Sequence, residues 1–569
     1  MATFSGNVLL AENATIGSSG RLTLGSEIDT VDHVLSVNAT RSGLITLNGP
    51  IIGIGGGVAY DGGGGIILGG SNTYQGETTI INGTRVTANV SYALGSNDFR
   101  TSLAIDDSSG SGNSFLNLNG TNQAIASLSG DSTSSIILGP EGGMTTLTIG
   151  FDSTLNFYGS DNANFAGVIS DYGNLIKDGP STQILSGANT FLGSTSINAG
   201  TLEITNALGL GNTGSASSIP VADGATLLVN GVTISGEPLT IAGSGVGSPS
   251  GALSGGSSTA SFNGPILLSQ GASIHNSLGG TLSLGDSITT QNRELTLAAG
   301  GTVNVNGSIV GDASGFDDFL VLTGGGTVNL NASSAFLGPI HINQGTTVNT
   351  NAAEAFPVVN GRSNLTITEG STLNLSGMDQ SITSLFGDSV STIALDSSIL
   401  TFGSNVDVVT GFAGVITGQG MLVKDGTSTQ ILSGASTFEG LTDVTSGTLT
   451  IASDSALGST SSPDSLTTVL GGARLAFQDD ITTGERIILY NNAELANNSG
   501  TNTLSNLLLV EHDINGPHAG QKYAQIGALE GQLNLAGGID DFAGRFSSNP
   551  EMNLALNAGE NDNGCLLYT

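Results

Sequence analysis

The chain has few basic residues, few aromatic residues and almost no cysteine. Its 569 residues hold 12 Lys and Arg together against 46 Asp and Glu, which gives a formal net charge of −34 at pH 7. A surface that binds phosphate needs positive charge, so this imbalance argues against a nucleic-acid partner and against adsorption to anionic lipid. The same negative charge favours solubility and repulsion between chains at low salt.

The one cysteine, Cys565, cannot form a disulfide bond within the chain, so packing must stabilise the fold. We interpret Cys565 as an incidental thiol, with an intermolecular link as the alternative. No segment approaches the roughly 18 apolar residues of a membrane-spanning helix, so no membrane insertion of this chain is expected. The N-terminus also lacks the basic segment and apolar run of a signal peptide.

Glycine, in contrast, is abundant. It accounts for 88 of the 569 residues, which is about twice its usual share. Apolar residues make up 38% of the chain and the mean hydropathy is +0.17. Disordered chains have low hydrophobicity, so this composition predicts a folded chain with many turns.

A long internal duplication dominates the sequence. Residues 164–213 and 411–460 align without a gap, and more than half of their positions are identical. Residues 115–136 match 372–393 in the same way, at an offset larger by ten residues. Repetition favours a fold in which each unit contacts only its neighbours. A motif that recurs with the repeat is then better explained by architecture than by chemistry.

The apolar pattern has a period of two residues. Segments such as Thr302–Val305 and Thr372–Leu375 alternate apolar residues with Thr, Ser or Asn, which predicts short strands with one face buried. Clusters containing Gly, Asn-Gly or Asp-Gly separate them and supply turns. Sandwiches and barrels share these signals, but closed folds do not extend by adding units.

We therefore predict an all-β fold, a right-handed parallel β-helix or β-solenoid. With about 22 residues per coil and a coil spacing of about 4.8 Å, the chain would form roughly 25 coils and an elongated rod. Residues 1–538 are predicted to be one continuous β-helix that contains the duplicated blocks 115–213 and 372–460. Residues 539–569 are predicted to be a C-terminal cap or tail. Outward Thr, Ser and Asn are expected to form side-chain ladders.

The pattern GxLxKxGxSTQxLSGAxTFxG occurs at Gly173–Gly193 and at Gly420–Gly440. It resembles the autotransporter-associated β-strand repeat of bacterial passenger domains. Further segments fit that family: Leu116–Gly130, Phe165–Ile169, Phe412–Ile416 and Asn515–Leu535. The aromatic residue of the pattern and the glycine two positions later recur in four copies: Tyr74 and Gly76, Phe191 and Gly193, Phe336 and Gly338, Phe438 and Gly440.

This resemblance implies a parallel β-helix exposed outside a bacterial cell, at the cell surface or secreted, and no particular activity. Two features of the family are not seen in the chain. No signal peptide is visible in the sequence, and no alternating strands of a membrane barrel are visible after the repeats. We therefore expect either a fragment of a passenger domain or a repeat used by a protein that is exported in another way.

Motifs that would suggest catalysis are interpreted as structure. Gly-Asp-Ser occurs at 130–132, 285–287 and 387–389, and no histidine recurs beside it to act as a base. The segment Gly209–Gly214 satisfies GxGxxG but lacks the helix that would aim amide groups at a phosphate. Lys177 and Lys424 occupy equivalent positions, each followed by Asp-Gly, and are expected in surface ion pairs or solvated turns.

Histidines and acidic pairs give no convincing site either. The histidines His33, His275, His341, His512 and His518 are scattered, and zinc needs three or four convergent ligands. The acidic pairs are Asp317-Asp318, Asp479-Asp480 and Asp540-Asp541. Neighbours along a strand point to opposite faces, so such a pair cannot itself be a catalytic pair of carboxylates. We expect no catalytic residues, no cofactor and no specific metal site, although loose calcium binding to surface carboxylates is open.

Two functions are consistent with these predictions. The first is a non-enzymatic extracellular bacterial surface protein, a rigid β-solenoid stalk or adhesin of the passenger type that binds host or bacterial surface ligands. The alternative is the structural subunit of an extracellular filament, assembled by head-to-tail stacking of solenoid ends.

Overall fold

The fold is known from a computed structural model of the chain. The structure describes residues 1–95, 100–107, 112–143, 145–150, 162–211, 218–247, 250–311, 319–336, 338–356, 364–461, 465–490, 492–510, 524–528, 530–537, 539–541, 555–558 and 564–568. These residues form short β-strands and turns, with no helix among them.

The chain divides into two compact units, Met1–Thr289 and Thr290–Thr569. Each unit contains one copy of the internal duplication, residues 115–213 in the first and 372–460 in the second. The two copies can therefore be compared position by position in separate bodies.

In the first unit, the strands pair side by side into ladders. One ladder comprises Ala2–Phe4, Arg21–Leu24, Leu44–Leu47, Gly65–Leu68, Arg85–Ala88, Phe115–Asn117, Ser135–Ile137 and Val168–Ser170. A second comprises Ala14–Ser18, Leu35–Ala39, Val58–Asp61, Thr78–Ile81, Ser102–Asp106, Ser127–Gly130, Asn162–Phe165, Thr182–Leu185, Gly200–Ile204, Ala225–Val229, Leu253–Gly255 and the end of Ile266–Asn276. The remaining strands are Val8–Leu9, Ile28–Asp29 and Ile51–Ile52; Gln123–Ile125, Thr146–Ile149, Asn174–Lys177, Thr195–Ile197, Ile219–Val221, Leu239–Gly243, the start of Ile266–Asn276 and Ile288–Thr289; and Thr233–Ser235, Thr259–Asn263 and Thr281–Leu284.

The second unit is built in the same way. One ladder comprises Glu294–Ala299, Phe319–Thr323, Ile340–Ile342, Asn364–Ile367, Ser384–Gly387, Val409–Phe412, Thr429–Leu432, Thr448–Ile451, Arg474–Phe477, Glu494–Asn497, Gln525–Ala528 and Ala555–Ala558. Another comprises Thr302–Val305, Thr327–Leu330, Thr347–Thr350, Thr372–Asn374, Thr392–Ala394 and Val415–Thr417. The remaining strands are Ile309–Val310; Gln380–Ile382, Ile399–Phe402, Met421–Lys424, Thr442–Val444, Thr467–Val469, Ile487–Leu489, Leu508–Val510 and Ile539–Asp541; and Thr482–Thr483, Thr501–Leu504, Gly531–Leu535 and Gly564–Tyr568.

The described strands pair in parallel, and each pairs with a strand about one coil away in sequence. Ile66 pairs with Val86, 20 residues later, and Leu202 pairs with Leu227, 25 residues later. Each unit is thus a stack of coils, and the predicted all-β parallel solenoid is confirmed. Strands continue into residues 539–569, where Gly564–Tyr568 pairs with Gly531–Leu535. Handedness, coil number and a rod-like outline stay predictions, as does the proposed division at residue 538.

The core follows from the alternation of side chains. In Leu35–Ala39 the first, third and fifth residues are buried and the two between them are half-exposed. Because the strands are in register, the buried residues of successive coils stack into rows. One such row is Val37, Tyr60, Ile80 and Ile105. Each fully buried aliphatic side chain of this kind contributes about 1.5–3 kcal/mol.

The predicted ladders of outward asparagine side chains are present in the second unit. Asn329 Nδ2 donates to Asn304 Oδ1, and Asn349 Nδ2 donates to Asn329 Oδ1, both at 2.7 Å. Asn374 continues this row with a 2.8 Å bond to Asn349. A parallel row of the same bonds joins Asn306, Asn331 and Asn351. These amides give and accept one bond per coil, so they favour the in-register stack over a slipped one.

The repeated lysine is buried, and the prediction of a surface ion pair or solvated turn was wrong. Lys177 is 1% exposed and Lys424 is 0% exposed. Lys177 Nζ donates to the carbonyl oxygens of Asp178, Gly179 and Ala199 at 2.9, 2.7 and 3.0 Å. An ammonium group has three donors, so the two carbonyl oxygens of its own turn and the one in the next coil accept all of them. Burial lowers the pKa of Lys177 to about 8, against the opposing charge of Asp178.

The second copy repeats this arrangement. Lys424 Nζ donates to the carbonyl oxygens of Asp425, Gly426 and Ser446 at 3.0, 2.8 and 3.2 Å. The Lys-Asp-Gly sequence therefore joins its own turn to the turn of the following coil.

The repeated glutamine replaces a missing ladder bond. Strands Ser127–Gly130 and Asn162–Phe165 pair only at Gly130 and Phe165, which leaves Leu128 without a strand partner on that side. Gln183 fills the gap: its Oε1 accepts from Leu128 N at 3.0 Å and its Nε2 donates to Leu128 O at 2.8 Å. A buried backbone N–H or C=O group without a hydrogen-bond partner destabilises the folded state, so Gln183 stabilises the fold by bonding to both groups of Leu128.

The second copy preserves the device. Gln430 makes the corresponding bonds to Leu385, with its Oε1 3.4 Å from Leu385 N and its Nε2 3.0 Å from Leu385 O. The strands there again pair at a single position, Gly387 with Phe412.

The aromatic residue and glycine that end each repeat are explained by close packing. Tyr74, Phe191 and Phe438 are 0% exposed and Phe336 is 2% exposed. A Cβ atom on Gly193 would lie 2.0 Å from the carbonyl oxygen of Gly173, and one on Gly440 would lie 1.9 Å from that of Gly420. Successive coils approach too closely at this corner for any side chain.

A carboxyl group that the sequence did not single out is also buried. Glu485 is 1% exposed. Ser465 Oγ and Thr467 Oγ1 donate to its two oxygens at 3.0 and 3.1 Å. Burial raises the pKa of Glu485 to about 7, although both hydroxyl groups oppose the shift.

We expect Lys177→Met and Lys424→Met each to lower the free energy of unfolding by about 2–4 kcal/mol, because three carbonyl groups lose their donor. Urea denaturation followed by circular dichroism measures this change. The exposed Asn198→Ala serves as the control and is expected to change the stability by less than about 0.5 kcal/mol. An unfolding curve that the lysine substitutions leave in place would contradict the structural role.

Glu485 is expected to make the second unit less stable as the pH rises. Its folded pKa is about 7 and its ordinary value is 4.5. Between these values the folded state holds a proton that the unfolded state has lost. Its contribution is therefore full below pH 4.5 and declines until the pH passes 7, by about 3 kcal/mol at most. Thermal unfolding of wild type and Glu485→Gln at pH 5 and pH 8 tests this: the wild type should lose stability relative to the variant, and equal changes in both would refute it.

Candidate functional surfaces

The Gly-Asp-Ser motifs that lie in the duplication form turns, as predicted. Asp131 Oδ1 accepts from the backbone N of Thr133 at 2.8 Å and of Ser134 at 3.0 Å. Burial would raise the pKa of Asp131, but these and further hydrogen bonds, led by the backbone N–H of Asp107, lower it well below its usual range. A Cβ atom on Gly130 would lie 2.8 Å from the ring of Phe165. The motif thus packs one coil against the next.

The other two copies also have structural partners. Asp388 Oδ1 accepts from Val390 N at 3.2 Å, and hydrogen bonds led by that of Ser391 lower the pKa of Asp388 against the effect of burial. Asp286 Oδ1 accepts from Ser287 N at 2.7 Å. The GxGxxG segment extends beyond Gly211 into residues outside the described ranges.

The three histidines that the structure describes each have different neighbours. His33 Nε2 lies 3.2 Å from Asp32 Oδ1. His341 packs edge-on against Phe319, and burial lowers its pKa. His275 is buried beside Ser254, with 3.2 Å between its Nδ1 and the serine Oγ, and burial lowers its pKa too. His512 and His518 lie outside the described residues.

Of the three acidic pairs, one lies in a turn and one in a strand of the described residues. Asp479 and Asp480 both adopt positive φ, at 69° and 61°, and form a turn. Asp480 Oδ1 accepts from Thr501 N at 2.6 Å. Asp317 and Asp318 lie outside the described residues. Asp540 and Asp541 belong to the strand Ile539–Asp541, whose backbone pairs with Leu508–Val510.

Within the described part of the chain, no group of three or more His, Cys, Asp or Glu side chains could hold a metal ion. In the same residues, no helix has the length and apolar character to cross a membrane.

A polar groove lies on the second unit, at the corner where the repeat ends. Its volume is about 550 Å³, and hydroxyl groups, Glu439 and Asp454 line it. Asp454 Oδ1 accepts from Thr482 N at 2.6 Å. The position of Glu439 corresponds in the first copy to Leu192, and Ser455 to Leu208. Both leucines are exposed, so the same corner is acidic in one copy and apolar in the other.

An apolar surface lies on the second unit, and sequence motifs did not reveal it. Phe386, Val390 and Val409 are exposed by 39%, 64% and 65%. The signal that could have found them is the alignment of the two copies, in which interior residues match and these three do not.

Comparison with known proteins relates parts of the chain to autotransporter passengers. The model of the passenger-associated-transport-repeat matches residues 60–84, 175–204, 320–348 and 422–451. The adhesin BmaC autotransporter of Brucella suis biovar 1 (strain 1330) is 32% identical over 229 residues. That alignment covers 39% of this chain and 6% of the adhesin. No solved structure shows a match.

The matched residues include the buried groups described above. The match at 175–204 contains Lys177, Gln183 and Phe191, and the match at 422–451 contains their counterparts in the second copy. The family pattern is thus the pattern of the coil interior, and the chain contains the autotransporter passenger repeats that its sequence resembles.

Proposed function

We propose that the chain is a non-enzymatic bacterial surface protein of the autotransporter-passenger type, whose solenoid presents adhesive surfaces outside the cell. The observation that carries this proposal is that the polar residues shared by the two copies are buried, whereas outward residues differ between the copies. The recurring polar residues Lys177 and Gln183 use their side chains in hydrogen bonds to backbone groups inside the stack of coils. The repeat itself therefore supplies a scaffold, and recognition falls to the outward residues that differ between copies.

The relative supports the adhesive part of the proposal. The protein that aligns with 39% of this chain is named an adhesin and an autotransporter.

The charge of the chain supports ligands other than nucleic acid or anionic lipid. A formal net charge of −34 repels polyanions and favours partners with neutral or basic surfaces. Host or bacterial surface ligands of that kind are the expected partners.

Adhesion of coated particles tests the proposal. Beads coated with the purified chain should bind cultured host cells or bacterial cells more than beads coated with an unrelated acidic protein, and soluble chain should compete for binding. Beads that bind no better than the acidic control would contradict an adhesive role.

Electron microscopy separates this function from the filament alternative. Negative staining of the purified chain should show discrete particles at every protein concentration. Long threads that lengthen with concentration would favour head-to-tail assembly instead.

A further inference from the structure

We propose that the second unit carries a docking surface for a polypeptide segment that presents basic and apolar side chains together. The surface consists of Phe386, Val390 and Val409, with the neighbouring exposed Val406 and Val408. This inference rests on the proposed adhesive function and assigns one partner chemistry to one place on the molecule.

The fold places Phe386 and Val409 on the outward face of neighbouring strands and Val390 in the turn that follows the first of these strands. Strands Ser384–Gly387 and Val409–Phe412 are neighbours, and their single pairing joins Gly387 to Phe412. Phe386 follows the buried Leu385 and Val409 precedes the buried Thr410, so both side chains leave their strands on the outward face. No atom lies within 4 Å of where a Cβ of Gly411 would be, so the outward face of the second strand is uncovered at Gly411.

The first copy of the duplication shows that the fold does not require apolar residues here. The positions of Phe386, Val390 and Val409 correspond to Ser129, Thr133 and Asn162. The interior of the same strands is unchanged: Leu128 and Leu385 are both buried, as are Phe165 and Phe412. Exposed apolar side chains that the fold does not need, gathered in one place, mark an interaction surface.

The charge around the surface selects the partner. Residues 363–423 contain no Lys or Arg. Three carboxylates lie beside the surface: Asp388 follows Phe386 by two residues and accepts from the backbone N of Glu369, and Asp407 lies between Val406 and Val408. A partner must therefore bury the apolar side chains and also neutralise the carboxylates beside them. A segment that carries apolar and basic side chains together does both. A second copy of this chain would bring its own negative charge of −34 and is disfavoured.

The duplication supplies the test variant. The triple variant Phe386→Ser, Val390→Thr, Val409→Asn installs the residues that the first copy carries in the same fold. The control variant Leu278→Ser removes an exposed leucine of the first unit that lies outside the duplicated blocks. Circular dichroism and thermal unfolding of both variants should match the wild type, because only outward residues change.

Binding is measured by fluorescence anisotropy with short labelled peptides. One peptide alternates lysine and leucine, one alternates lysine and serine, and one alternates glutamate and leucine. The wild type should bind the lysine–leucine peptide best, and the triple variant should weaken that binding about tenfold or more. The control variant should bind it as the wild type does, and neither variant should alter the weak, salt-sensitive binding of the lysine–serine peptide.

Three outcomes would overturn the proposal. The triple variant could bind the lysine–leucine peptide as tightly as the wild type, the glutamate–leucine peptide could bind best, or sedimentation could show dimers that the triple variant abolishes. If coated beads still adhere to cells while the triple variant behaves as the wild type, this docking surface is wrong and the adhesive function stands. If beads do not adhere but the triple variant loses peptide binding, the surface stands without that function.

Discussion

The stacking of parallel coils in register is the constraint on which the rest of the structure depends. Each coil lies one strand spacing, about 4.8 Å, from the next, so its backbone groups must find partners in its neighbours. Where the ladder opens, as at Leu128, the side chain of Gln183 supplies the missing donor and acceptor. Where a turn points several carbonyl groups inward, Lys177 supplies the donors. These polar residues recur because the backbone geometry recurs.

Much of the fold could be predicted from the sequence, because a period of two and a long duplication are strong local signals. The alternation in Leu35–Ala39 and the asparagine rows of the second unit follow from it directly. The burial of Lys177 could not be predicted, since a lysine followed by Asp-Gly has the composition of a solvated turn. Only the arrangement of three carbonyl groups, two in its own turn and one in the next coil, makes the interior tolerable for its charge.

The surface was harder to predict for a different reason. Interior positions repeat and therefore stand out, whereas Phe386 belongs to no motif and differs from Ser129 of the first copy. Two of the family matches lack the buried lysine. The residues at its position there are Tyr60 and Leu322, which are also buried, so this interior position accepts an apolar or aromatic residue as well. The outside changes more freely, as the exchange of Leu192 for Glu439 illustrates.

The closed environment of the repeated lysines has a consequence outside a cell, where digestive proteases are abundant. Enzymes of the trypsin type cut after lysine or arginine and must first draw the basic side chain into a pocket. Lys177 and Lys424 are buried with their ammonium groups held by backbone carbonyls, so a cut there has to wait for local opening of the coil. With 12 basic residues in the whole chain, such an enzyme finds few places to begin.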